Sequence, residues 1–183
     1  MKEKILEVYT DCACNSHSYG IGIVFIDENE IETKYQFKTT KNLIDIEFDT
    51  NTKNATSSVG EIYAVLKSLE IISGKYDKIY IYTDNNHTFK SLTNTCKEKS
   101  KHILFNKIIK KCREINISNI EFRHIKAHCD VYGNEMVDRL SKKSLKDKTI
   151  PYCNDYSDCN LSMKIFEFNF FNSYKLDNFE LYK

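Results

Sequence analysis

Four acidic residues lie far apart in this 183-residue chain, each in a setting suited to binding a metal ion. Asp11 and Asp84 each end a short apolar run, whereas Glu61 and Asp138 lie in segments with helical spacing of apolar residues. Two carboxylates at strand ends and two on helices can converge on one point of an α/β sheet. Their oxygens suit hard cations such as Mg²⁺ and Mn²⁺, and two such ions can support an in-line attack on a phosphodiester. The alternative is four unrelated surface acids, which the apolar runs before Asp11 and Asp84 disfavour.

His128 is a candidate for moving a proton, because an imidazole titrates near neutral pH. Its alternative is an ordinary surface-loop histidine.

A second candidate feature is charge: residues 86–148 carry 15 Lys and Arg against 7 Asp and Glu. This segment is where a polyanion would dock, although a solvated helix face is the simpler interpretation of a charge run. Lys107, Lys110 and Lys111 are its candidate contacts to backbone phosphates.

Hydrophobic periodicity predicts the elements that must position these residues. Strands are predicted at 5–11, 19–27, 31–39, 78–83 and 118–125, and helices at 59–73, from 84 or 85 to about 95, at 97–114 and at 133–147. The order βββαβααβα contains two β-α-β passages, which require parallel strands with right-handed crossovers. We therefore expect an α/β fold with a mixed five-stranded sheet, three antiparallel strands and then two parallel ones, flanked by helices.

Composition indicates one domain with an extension. We expect a domain at residues 1–149, followed by an aromatic-rich C-terminal extension at 150–183 with a strand-like alternation at Phe166, Phe168 and Phe170. Seven cysteines, an odd number, favour reduced thiols. The sequence shows no signal peptide and no apolar run of the roughly 18 residues that a membrane helix needs. These features predict a cytoplasmic protein without a membrane partner, either a monomer or a weak homodimer formed through the extension.

Several motifs together carry a family resemblance. They are Tyr9-Thr10-Asp11-Cys12-Ala13-Cys14, Gly20-Ile21-Gly22, Glu61-Ile62-Tyr63-Ala64, Tyr82-Thr83-Asp84-Asn85, Ile125-Lys126-Ala127-His128 and Gly133-Asn134-Glu135-Met136-Val137-Asp138. Over about residues 5–147 this ordered set resembles the type 1 ribonuclease H family. The resemblance implies a ribonuclease H-like fold. It also implies a metal-dependent endoribonuclease that cuts the RNA strand of RNA/DNA hybrids, leaving 5′-phosphate and 3′-hydroxyl products.

The resemblance also implies roles for individual residues. Asp11, Glu61, Asp84 and Asp138 would ligate two Mg²⁺ ions, with Mn²⁺ as a substitute. His128 matches a loop histidine that aids proton transfer or product departure. Asn134 and Glu135 match residues beside the metals. The implied nucleic-acid contacts, together with the basic residues above, are Cys12, Asn15, Thr56, Ser57, Ser58, Asn85, Lys107, Lys110 and Lys111.

This sequence departs from the family pattern at Cys12, where glycine is usual, and at Ser57 and Ser58, where asparagines are common. It also has no tryptophan and so lacks the tryptophan-rich basic protrusion of many bacterial members. Two other functions therefore stay open. One is another nuclease on the same fold, either an exonuclease or an enzyme acting on double-stranded RNA or DNA. The other is a non-catalytic nucleic-acid or protein interaction module that binds through the aromatic extension.

Overall fold

The computed structural model describes residues 3–41, 44, 57–72, 76–93, 102–115, 120–150, 152 and 166–169. Its strands are β1 (Ile5–Cys14), β2 (Ser18–Asp27), β3 (Ile31–Thr40), β4 (Lys78–Thr83), β5 (Ile120–His124) and β6 (Phe166–Asn169). The helices that flank the sheet are α1 (Ser57–Ile71), α2 (Asn86–Leu92), α3 (His102–Glu114) and α4 (Tyr132–Lys146). The predicted 97–114 helix thus begins at His102 within the described residues.

The strands form one mixed sheet in the order β5-β4-β1-β2-β3-β6. Strands β1, β2 and β3 are antiparallel, and β4 lies parallel to both β1 and β5. This arrangement confirms the predicted α/β fold with three antiparallel strands followed by two parallel ones. β6, from the C-terminal extension, adds a sixth strand antiparallel to β3, as the alternating phenylalanines indicated.

The two faces of the sheet carry separate hydrophobic layers because neighbouring residues of a strand point to opposite faces. Val8 and Ile81 pack on the face covered by α1 and α3, whereas Tyr9 and Tyr82 pack on the face covered by α4. Helix α1 is buried continuously from Val59 to Leu69, as expected of a helix enclosed on all sides. None of the helices in the described part of the chain has the length and apolar character to cross a bilayer.

Helix α4 lies unusually close to β2, and two glycines permit this. A Cβ atom on Gly20 would lie 2.3 Å from the carbonyl oxygen of Ser141, and one on Gly22 would lie 2.5 Å from that of Val137. Any side chain at these positions would push the helix away from the sheet. Because Gly22 pairs with Asp11 across the β1–β2 ladder, the same approach brings α4 next to an acidic residue of β1.

Candidate active site

Three of the four predicted acids meet at one point. Asp11 lies on β1, Asp84 follows the end of β4, and Glu61 lies in the first half of α1. β1 and β4 are adjacent parallel strands, so carboxylates near their carboxyl ends fall at the same region of the sheet. The candidate ligand atoms of the three residues all lie within 4.8 Å of one another. Asp11 and Glu61 are 9% and 4% exposed, so the cluster is largely shielded from water.

This crowding of acids changes their ionisation. Burial is the main cause that raises the pKa of Glu61 well above its ordinary value, and the charges of Asp11 and Asp84 raise it further. Burial also raises the pKa of Asp11, and the nearby Asp84 adds to that rise. A side-chain hydrogen bond joins Glu61 and Asp11; it raises the pKa of the first and lowers that of the second. Glu61 is therefore the acid of this cluster that takes up a proton most readily, and its hydrogen bond to Asp11 favours the protonated form.

The cluster fits a divalent cation. Glu61 Oε2 is buried without a hydrogen-bond partner, which is a costly state for a carboxyl oxygen. A hard cation would satisfy this oxygen and relieve the repulsion between the acids, and all three residues offer the oxygen ligands that such ions prefer. The residues present thus match the metal that the sequence led us to expect.

Two side chains from α4 hold the cluster acids, and sequence reasoning identified one of them. Asn134 is buried and its Nδ2 donates to Asp84 Oδ2 over 3.4 Å; it was expected near the metals. Ser141 was missed: its hydroxyl makes a short hydrogen bond to Asp11 Oδ2. The available signal was that Ser141 lies three residues after Asp138, which places both on one face of a helix.

His124, which the sequence did not assign to the site, also supports it. Its Nε2 lies 3.2 Å from the carbonyl oxygen of Asp84, so the N–H at this position donates to the backbone of that acid.

Asn85 caps helix α2 by accepting a hydrogen bond from the Thr88 amide over 2.9 Å. Its predicted contact to nucleic acid stays a prediction.

Asp138 lies outside the three-acid set. Its Oδ2 accepts a hydrogen bond from Lys142 Nζ over 2.7 Å, one helical turn further along α4. The His128 side chain is 74% exposed, and its Nδ1 lies 3.9 Å from Glu135 Oε1. The structure thus places Asp138, His128 and Glu135 on and before α4, and their assignment to the catalytic machinery remains a prediction.

Apart from Asn85, the predicted nucleic-acid contacts fall into three places: β1 with the turn after it, the start of α1, and α3. Cys12 is buried, and a Cβ on Gly60 would lie 2.2 Å from its Sγ, so this thiol packs under the start of α1. Asn15 lies in the β1–β2 turn, where its side chain accepts from the amides of His17 and Ser18, each over 2.8 Å.

At the start of α1, Ser57 is exposed and Ser58 half-buried, whereas Thr56 lies outside the described residues. The remaining predicted contacts are on α3, which packs against α1. Lys110 and Lys111 are there within 3.8 and 3.3 Å of Glu114, and Lys107 is half-buried.

Comparison with known proteins agrees with this architecture. The family model for RNase H matches residues 3–146. No curated protein matches the chain. RNase H1 from the halophilic archaeon Halobacterium salinarum NRC-1 has a similar structure, with a TM-score of 0.57 at 20% identity, covering 78% of this chain and 98% of that one. LC11-RNase H1 in complex with an RNA/DNA hybrid gives a TM-score of 0.53 at 19% identity, covering 76% and 99%.

Proposed function

This chain belongs to the RNase H family and is a ribonuclease H-type endonuclease, and we propose that it hydrolyses the RNA strand of RNA/DNA hybrids to 5′-phosphate and 3′-hydroxyl products. The observation that carries the proposal is the convergence of Asp11, Glu61 and Asp84 within 4.8 Å. A protein of the same fold, LC11-RNase H1, has been solved with an RNA/DNA hybrid. The substrate and the chemistry below extend these observations to this chain.

The acids are the groups that would hold the metal. Asp11, Glu61 and Asp84 would share the ligation, with Asp138 completing it from α4. When bound, two Mg²⁺ ions, or Mn²⁺ in their place, would lower the pKa of the attacking water and stabilise the leaving 3′-oxygen. Ser141 and Asn134 would fix the orientation of Asp11 and Asp84 through the hydrogen bonds described above, a role typical of groups behind metal ligands.

Proton movements follow from the pKa directions. A cation bound beside Glu61 and Asp11 would lower their raised pKa values again, so cation binding would be coupled to proton release. His128 stands at the rim with most of its side chain in solvent. Its imidazole would give a proton to the leaving oxygen or take one from the attacking water, and its loop position lets it reach substrate without entering the acid cluster.

Recognition of the hybrid would combine phosphate contacts with reading of the RNA sugar. The lysines of α3 would contact backbone phosphates, since positive side chains supply most sequence-independent affinity. Main-chain groups of the Cys12–Asn15 segment, together with Ser57, Ser58 and Asn85, would lie along the minor groove, where 2′-hydroxyl groups distinguish RNA from DNA. Residues 1–149 would contain all of these groups, and the extension at 150–183 would contribute to stability or self-association.

A cleavage assay tests this proposal against its rivals. Uniform RNA/DNA hybrid, double-stranded RNA and double-stranded DNA of one sequence are incubated with the protein and Mg²⁺. We expect internal cuts in the RNA strand of the hybrid, 5′-phosphate ends, and loss of activity in EDTA and in Asp11→Asn. Glu30→Gln, which removes an exposed acid in the β2–β3 turn, serves as the control and should retain activity. Cutting of a different duplex would identify another nuclease, and absence of metal-dependent turnover would favour an interaction module.

A further inference from the structure

Asp138, the fourth predicted metal ligand, is paired with a lysine that would compete with a bound cation. Asp138 and Lys142 are separated by one turn of α4, and their charged atoms lie 2.7 Å apart. Asp138 does not belong to the group of acids that lie within 4.8 Å of one another among the described residues. Its carboxylate, whose side chain is 25% exposed, is therefore turned toward a cation of its own helix.

The backbone that carries Asp138 is nevertheless fixed at the cluster. Ser141 Oγ lies 3.0 Å from the carbonyl oxygen of Asp138 and also bonds to Asp11. Gly20 and Gly22 keep this part of α4 against β2. Asp138 therefore lies on a part of α4 that is already held beside Asp11.

We propose that Lys142 is a positioning residue that holds the Asp138 carboxylate in the metal-free protein and gives it up when a divalent cation binds. This inference rests on the proposed function, because it assumes that Asp138 completes the metal site. Lys142 then weakens cation binding, since each binding event must break the ion pair. It also places a positive charge beside the Asp138 carboxylate while the site is empty, which lowers the repulsion that a fourth free carboxylate would add.

The solvent exposure of the Lys142–Asp138 ion pair limits how strongly it can compete with a bound cation. The Lys142 side chain is 54% exposed, and ion pairs between solvent-accessible groups are weak. Breaking such a pair should reduce cation affinity by about two- to fivefold, the range that exposed pairs span. A cation held by several carboxylates overcomes a competitor of this strength, so the exchange is reversible.

Calorimetric titration of the full-length, metal-stripped protein with Mg²⁺ tests the proposal without reference to cleavage. Lys142→Gln should raise Mg²⁺ affinity about two- to fivefold more than Lys143→Gln does. Lys143 is exposed on the same helix, so its substitution removes the same charge without touching Asp138. Lys142→Arg keeps the pair and should restore the wild-type affinity. In an Asp138→Asn background, most of the extra gain of Lys142→Gln over Lys143→Gln should disappear, because the ion-pair partner of Lys142 is gone and only its weaker interactions with Asp11 and Glu135 remain.

Equal effects of the two lysine substitutions in the wild-type background would overturn the inference and leave a general effect of charge. A Lys142→Gln gain that persists undiminished with Asp138→Asn would overturn it as well. Failure of the proposed function looks different: Mg²⁺ would still bind with the expected ranking of variants, but hybrid would not be cut. If wild type and Asp11→Asn both fail to bind Mg²⁺, the metal site itself is wrong, and both proposals fall together.

Discussion

Replacing Glu61 by glutamine should stabilise the metal-free protein at alkaline pH, although it removes a proposed metal ligand. The pKa of Glu61 is raised in the folded protein by burial and by Asp11 and Asp84. For a carboxyl whose pKa is raised by folding, the stabilising contribution is fully present below the unfolded pKa, about 4.3. It is lost as the pH rises from there through the folded pKa, because the unfolded chain releases the proton freely, whereas the folded protein must keep it or ionise the carboxyl in a buried acidic cluster.

The magnitude follows from the geometry. The ligand atoms of the cluster lie within 4.8 Å, where two unit charges repel by about 3 kcal/mol at an effective dielectric constant of about 20. The hydrogen bond between Glu61 and Asp11 already relieves part of this repulsion, so we expect Glu61→Gln to gain about 1–3 kcal/mol of unfolding free energy at about pH 8. That gain corresponds to a rise in Tm of about 2–10 °C for a domain of this size. The glutamine amide can donate to Asp11 as the protonated carboxyl does, so the packing is retained.

Thermal unfolding followed by circular dichroism, in EDTA at about pH 4 and about pH 8, measures this gain. At the lower pH Glu61 is mostly protonated even in the unfolded state, so little of the pH-dependent difference remains and the variant and wild type should unfold nearly together. Glu30→Gln, which removes an exposed charge, should change Tm little at either pH. Added Mg²⁺ should raise the Tm of wild type more than that of Glu61→Gln. A variant that is less stable than wild type at pH 8, or equally stabilised at both pH values, would refute the reasoning.

Three further perturbations separate the other proposed roles. His128→Ala should slow cleavage by about 10²-fold or less while Mg²⁺ affinity by calorimetry is unchanged; a loss of affinity would make His128 a ligand. Replacing Lys107, Lys110 and Lys111 by glutamine should lower the slope of log affinity against log salt by about 0.9 for each lost phosphate contact, and an unchanged slope would place the hybrid elsewhere. Truncation after Thr149 should leave Mg²⁺ binding intact but reduce Tm or change self-association in ultracentrifugation, since it removes β6 from the edge of β3. A stable truncated protein that binds hybrid but cannot cut it would assign the extension to the active site.

The sheet could be predicted because its elements depend on local patterns, whereas the meeting of the acids was expected mainly from the family resemblance. Apolar runs give the strands, and the β-α-β passages force β3, β4 and β5 to be parallel. β1 has the same direction because two antiparallel steps separate it from β3. Asp11 and Asp84 lie at the carboxyl-terminal parts of two parallel strands, so the topology places both at the same edge of the sheet. That β1 and β4 are neighbours was not predicted, and the place of Glu61 beside them was expected only from the resemblance.

The contacts made by α4 could not be predicted, because they depend on how closely two elements approach. Ser141 reaches Asp11 only when Gly20 and Gly22 allow the helix to touch β2, and a sequence shows the glycines without showing their neighbours. The ion pair between Asp138 and Lys142 could not be predicted either, since a lysine four residues after an acid is common on helix surfaces and such pairs usually contribute little.

The pairing of β1 with β4 has a consequence for how the protein acquires its site during synthesis. Thr10 on β1 and Tyr82 on β4 are in contact across 72 positions of the chain, and joining such distant segments requires closure of a long loop. A chain still emerging from the ribosome holds Asp11 long before it holds Asp84, so no partial product can assemble the three-acid cluster. Cation binding should therefore require that β1 and β4 have already paired. Mg²⁺ should slow unfolding of the native state without accelerating the earliest collapse of the chain.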